Sequence, residues 1–192
     1  MSAVWWSELT TEHSHVEVNA AIGHTVQLLF LMLRYLSITP PFVVSYSRQA
    51  HVGRPFLRAN TPLLNTTKFR EKSMLWMSST ASKRDSRSGL KHRHFLTAFA
   101  LLSHTIAYLA WTQGVEGVGV GTAGIEVSVT AVLELLQLIA RSPTLGVRSH
   151  EPGTSMLGHL GFSLDVNTVV EYVTREEDEG EHGWDIVHAT GV

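Results

Sequence analysis

The residues best equipped for chemistry are histidines and carboxylates. His13 and His15 are two apart, as are His92 and His94. On a strand such a pair shares one face and could take a metal. Zinc needs three or four ligands, and no convergent Asp, Glu or Cys accompanies either pair. The reading is therefore a frayed N-terminus for the first pair and a basic helix entry for the second. His24 and His104 lie inside apolar helical segments, where a histidine is expected to be a core or interface residue bonded to backbone. No serine stands in a G-x-S-x-G elbow to partner them. Glu126 and Glu134 share a helix face and read as a solvated stripe. Gly117-Val118-Gly119-Val120-Gly121 follows a helix, lacks a Gly-Lys-Ser/Thr, and does not match the spacing of a phosphate loop. It reads as a helix-to-helix connector. These residues assemble no nucleophile, base and oxyanion donor, so the expectation is a non-enzyme with no cofactor and no metal.

The elements that could position such groups are mostly apolar. The chain has 192 residues, 44% of them hydrophobic, and no cysteine. That excludes disulfides, thiolate zinc sites and a cysteine nucleophile. The net charge of -2 gives no general preference for nucleic acid. Met1 to Thr10 lacks the basic-then-apolar pattern of a signal peptide. Charge is nonetheless segregated. Lys68 to His94 holds eight Lys or Arg against two acidic residues, and from Asp165 onward eight acidic residues stand against Arg175.

Three apolar segments carry helical periodicity, at Val16–Ser37, His92–Gln113 and Ile125–Arg141. In the first, Glu17, His24, Gln27 and Arg34 fall near one polar stripe, and Pro40-Pro41 ends the helix. In the second, Gly114 is the expected C-cap. Phe42–Tyr46 reads as a strand, with Val52–Leu57 and Met74–Met77 as two further short strands. Pro55 and Pro62 suggest sheet edges. Asp165 to Arg175 reads as a short helix with Val166, Val169, Val170 and Val173 on one face and Asp165 as N-cap, followed by a loose acidic tail. Gly183-Trp184-Asp185-Ile186-Val187 is either a docking peptide or a segment that folds back.

The expected fold is therefore α+β, with three long apolar helices and a small antiparallel sheet. Its parts are a flexible N-terminus (1–15), a core domain (16–141) with a mobile basic loop (78–91), and a loop, short helix and acidic tail (142–192). Phe95–Gln113 is the best candidate for a membrane span, which leaves a small helical membrane protein as one alternative. A helix buried on most of its circumference is the preferred reading. Three such helices carry more apolar surface than short strands can cover, so part of it is expected to meet a partner chain. A fragment trimmed from a larger protein would show the same excess.

Two stretches carry a resemblance. Gly23-His24-Thr25-Val26-Gln27-Leu28-Leu29-Phe30-Leu31-Met32-Leu33-Arg34-Tyr35-Leu36-Ser37-Ile38 followed by Pro40-Pro41-Phe42, and His94 through Trp111-Thr112-Gln113-Gly114-Val115, resemble the Barkor/UVRAG family, of the fungal type. Val132–Ile139 is similar to that family's next helix. The resemblance implies a C-terminal, Beclin-like repeated β-α region. It implies a non-catalytic regulatory or targeting subunit of the class III phosphatidylinositol 3-kinase complex, acting in autophagosome formation. The endosomal-sorting, UVRAG-type subunit is the alternative. Implied partners are a Beclin-type subunit and the lipid kinase with its pseudokinase-like scaffold, with no nucleic acid. The implied location is cytoplasmic, peripheral on phagophore, endosomal or vacuolar membranes. Candidate anionic-lipid contacts are Lys83, Arg84, Arg87, Lys91 and Arg93, whose neighbouring serines could be phosphorylated to switch them off. Candidate partner contacts are Leu29, Leu33, Tyr35, Phe99, Tyr108 and Trp111.

Overall fold

The computed structural model describes residues 14–46, 53–60, 69, 71, 73–77, 86–115, 132–143, 145–147 and 162–182. Its elements are α1 (His15–Tyr35), β1 (Phe42–Tyr46), β2 (Pro55–Ala59), β3 (Ser73–Met74), α2 (Ser86–Thr112), α3 (Val132–Arg141) and α4 (Val166–His182). Among the described residues this is an α+β fold of four helices and one three-stranded antiparallel sheet.

α1 begins at a capping box. The Glu17 amide donates to Ser14 Oγ at 3.3 Å, and the Ser14 amide donates to Glu17 Oε2 at 2.8 Å. Two of the helix's first orphan donors are thereby satisfied. His15, expected in a frayed terminus, is instead the first residue of this helix. At the other end Ile38 N–H reaches Leu33 O at 3.0 Å and Ser37 N–H reaches Arg34 O at 3.3 Å, a Schellman closure. Ser37 occupies its left-handed position, with φ of 54°. α2 ends in the same closure, Val115 N–H to Ala110 O at 3.0 Å and Gly114 N–H to Trp111 O at 2.9 Å, with the expected Gly114 at φ 77°.

The strand order is β1-β2-β3, so β2 is central. This corrects the edge placement that Pro55 suggested. Pro55 is the first residue of β2, where its missing donor falls at the end of the ladder, and its carbonyl still accepts from Leu75 at 2.9 Å. Phe42, Leu57, Ala59 and Leu75 are buried in one core with α1, α2, α3 and α4. Asn19 ties α1 to the outer strand. Its Nδ2 donates to Met77 O and its Oδ1 accepts from Met77 N–H, both at 2.8 Å.

α2 is the axle of the fold. From Phe95 to Ala110 every residue except Thr97 is buried. The sheet, α3 and α4 all pack on it. Lys91–Thr112 is long and apolar enough to cross a membrane, but 83% of its apolar window is buried inside the chain, as the preferred reading of a covered helix expects. α2 also starts six residues earlier than expected, taking Ser86 to Lys91 out of the basic loop. α4 likewise runs on to His182, through acidic residues expected to be loose. The Asp165 carboxylate caps it, accepting from the Asn167 amide at 3.2 Å and the Thr168 hydroxyl at 3.3 Å. α3 is described over ten residues; Ile125 to Ala131 lie outside the described residues.

Candidate docking surface

One side of α1 meets the core, and its outer side interleaves apolar residues with the polar stripe of Glu17, His24, Gln27 and Arg34. Val18, Ile22, Val26, Leu29, Met32, Leu33 and Leu36 point inward. Leu28, Phe30, Leu31 and Tyr35 point outward, with Leu31 at 55% and Tyr35 at 69% exposure. At 100° per residue, Ala20, His24, Leu28, Leu31 and Tyr35 run up one outer face. The 18-residue apolar window of α1 is only 33% buried.

Beside this face a groove of about 350 Å³ opens between α1 and β1, lined by Gly23, Val26, Gln27, Phe30, Val44 and Tyr46. Phe30 forms part of its wall, and the Arg34 guanidinium lies 5.8 Å from the centre of the Phe30 ring. That distance is within cation–π range.

The partner residues chosen from sequence fall mostly elsewhere. Leu29, Leu33, Phe99 and Tyr108 are buried in the chain's own core, because they occupy the inward sides of α1 and α2. This corrects their placement on an outer surface. Trp111 is half-buried and packs 5.7 Å from Phe162. Tyr35 alone of the six is fully on the outer face. The exposed apolar residues of α1 that the sequence reading did not single out include Leu28, Phe30 and Leu31. A signal for them existed: Leu28, Leu31 and Phe30 stand four residues from His24, Gln27 and Arg34, the stripe already read as polar. All four stripe residues are exposed.

The basic cluster is only partly described. Lys91 and Arg93 are exposed on the first turns of α2. Arg87 lies in its N-terminal turn, and Lys83 and Arg84 lie outside the described residues, as do His13, Glu126, the glycine run 117–121 and the tail segment 183–187. His92 and His94 sit on a helix rather than a strand, which separates their rings. No group of three His, Asp or Glu that could hold a metal occurs among the described residues.

The two helical histidines separate. His24 is exposed, against the expectation of a core or interface role bonded to backbone. His104 is buried and fulfils it, with Nε2 3.0 Å from Leu164 O. Its ring meets Phe42 and Phe162 edge-on at 5.5 and 5.2 Å. Burial drives its pKa down to about 4, against the opposing pull of the Leu164 carbonyl and Asp165. Burial also raises the Tyr108 phenol to about 12. Gln113, a mark of the family resemblance, is buried and accepts from the Gly146 amide at 3.0 Å. It ties the end of α2 to the loop after α3.

Among the described residues, a mixed core carries an exposed apolar helix face beside an open groove. Residues 1–142 match the family described as vacuolar sorting 38 and autophagy-related subunit 14, and the chain belongs to that family. No curated protein and no solved structure matches it. The match ends just after α3, yet α4 completes the cover of α2 with Leu164, Val166, Val169 and Val173.

Proposed function

We propose that this chain is a non-catalytic regulatory or targeting subunit of the class III phosphatidylinositol 3-kinase complex, serving autophagosome formation. The family match over residues 1–142 carries the reading. The outward apolar face of α1 supports it, because a subunit must present a surface to its neighbours. The partners in this reading are a Beclin-type subunit and the kinase with its pseudokinase-like scaffold. The region takes the Beclin-like repeated β-α architecture. The complex sits peripherally on phagophore or vacuolar membranes, with Lys91 and Arg93 among the contacts to anionic headgroups. The interface is led by Leu28, Phe30, Leu31 and Tyr35 rather than by the buried leucines of the same helix.

The family description names vacuolar sorting beside autophagy, and this favours an endosomal-sorting subunit of the same kinase as the second reading. Co-expression with the kinase, scaffold and Beclin-type subunits tests the first step of both. The expected result is a stoichiometric complex after affinity purification and gel filtration. A chain that elutes alone contradicts both readings. Autophagic flux and vacuolar protein sorting, each measured after deletion of the gene, then separate the two branches.

A further inference from the structure

The two edges of the sheet are treated differently. β3 runs on into Met77, whose amide and carbonyl are both held by the Asn19 side chain. β1 has no such cover among the described residues. Asn60 N–H bonds to Pro41 O at 2.8 Å, which fixes the phase of the β1–β2 ladder. With Phe42 opposite Ala59 and Val44 opposite Leu57, the bonded pairs are Val43 with Arg58 and Ser45 with Phe56. The backbone groups of Phe42, Val44 and Tyr46 therefore point away from β2, and no described residue pairs with them. An open edge of this kind is a template for another strand.

The groove lies directly against this edge. Val44 and Tyr46 form one wall, and Gly23, Val26, Gln27 and Phe30 of the overhanging α1 form the other. Among the described residues no acidic side chain lines it, and Arg34 lies above Phe30 of its wall. We propose that the β1 edge and the α1–β1 groove bind an extended, alternately apolar strand of a partner subunit, carrying a carboxylate beside Arg34. The outward N–H and C=O groups recur at every second residue, and only an extended polypeptide presents donors and acceptors at that repeat. A docked helix satisfies its own backbone and leaves them unpaired, and a lipid chain offers them nothing. Alternate side chains of the added strand enter the groove under α1, and the intervening ones face out.

This inference rests on the proposed function and names how one partner is held. Gly23 supplies the test, because a Cβ there meets nothing within 4 Å. Gly23→Phe starts from a Cβ position in open space and puts a ring into the groove, and Gly23→Ala serves as the control. Val44→Pro removes one outward donor while leaving the bonded pairs with β2 in place. Each is co-expressed with the Beclin-type, kinase and scaffold subunits, and folding is checked by circular dichroism. In the wild-type complex the amides of Phe42, Val44 and Tyr46 should exchange with deuterium at least roughly tenfold more slowly than in the free chain. Gly23→Phe and Val44→Pro should lose copurification or that protection, while Gly23→Ala keeps both. Folded Gly23→Phe and Val44→Pro chains that copurify with unchanged protection overturn the inference and leave the proposed function standing. Protection of these amides already in the free chain, from a second copy or from the chain itself, overturns it too. A wild-type chain that copurifies with none of the subunits removes both.

Discussion

His104 of α2 and Leu164, just ahead of α4, are 60 residues apart in sequence and are joined by an Nε2–H···O contact of 3.0 Å. The bond assigns the proton to Nε2. Nδ1 is left buried without a partner among the described residues, as is the neighbouring Ser103 hydroxyl. The ring is held neutral by its surroundings, since a charged imidazole between Phe42 and Phe162 would be desolvated on both sides.

The pH dependence of stability follows from that neutrality. The unfolded chain takes up a proton near the ordinary 6.5, and the folded chain only near 4. Between those values the unfolded state binds more protons, so stability rises with pH there. It is fully present above about pH 6.5 and is lost as pH falls towards 4, by roughly 3 kcal/mol in all. Urea denaturation at intervals from pH 7.5 to 4.5 should show this decline. In His104→Gln, which keeps a donor for Leu164, that part of the decline should vanish.

α4 packs on α2, although the family match does not reach it. Val169 and Val173 are fully buried on α2. Ending the chain at Ser142 should uncover His104 and Tyr108 and cost at least about 4 kcal/mol, because four buried aliphatic side chains are lost together. Val169→Asp should destabilise by a similar amount, through an unpaired charge in the core. Dye binding to exposed apolar surface and chemical denaturation both report this. An unchanged midpoint in the shortened chain would show that α4 does not support the core.

Two helices close with the same hydrogen bonds, one with Ser37 and the other with Gly114 in the left-handed position. Serine carries a steric penalty there that glycine avoids. Ser37→Gly should therefore stabilise the chain by about 0.5–1 kcal/mol, offset in part by the added freedom of the unfolded state. Gly114→Ser should destabilise by a comparable amount. Thermal melts of the two variants check the opposite signs.

Much of the fold was legible because apolar periodicity carries it. Strand β1 has the bounds its residues suggested, α1 differs by only a residue or two at each end, and Gly114 and Asp165 cap where their types indicated. The failures occurred where helix continues without an apolar face. Ser86 to Leu90 and Glu176 to His182 hold good helix formers such as Arg and Glu, but nothing that repeats every three or four residues, so they read as loops. Pro55 misled because a proline at the start of a strand is tolerated at any place in a sheet. The exposed apolar residues of α1 were passed over for a different reason. Choosing the most apolar members of α1 selects its core side, whereas an outer face is marked by apolar residues interleaved with His24, Gln27 and Arg34. The open β1 edge leaves no trace in the side chains, because it is a property of backbone groups and strand order.

The outward face of α1 supplies the decisive variant. Leu28→Glu with Leu31→Glu alters two exposed positions and should leave stability within about 1 kcal/mol. Leu29→Glu, at a fully buried position on the same helix, should unfold the chain.

The most direct test is affinity copurification of the double variant with the kinase, scaffold and Beclin-type subunits, beside the wild-type chain. A docking role for this face predicts that the wild-type chain enters the complex and that the folded Leu28→Glu, Leu31→Glu chain is lost from it. Full retention of the double variant would contradict that role.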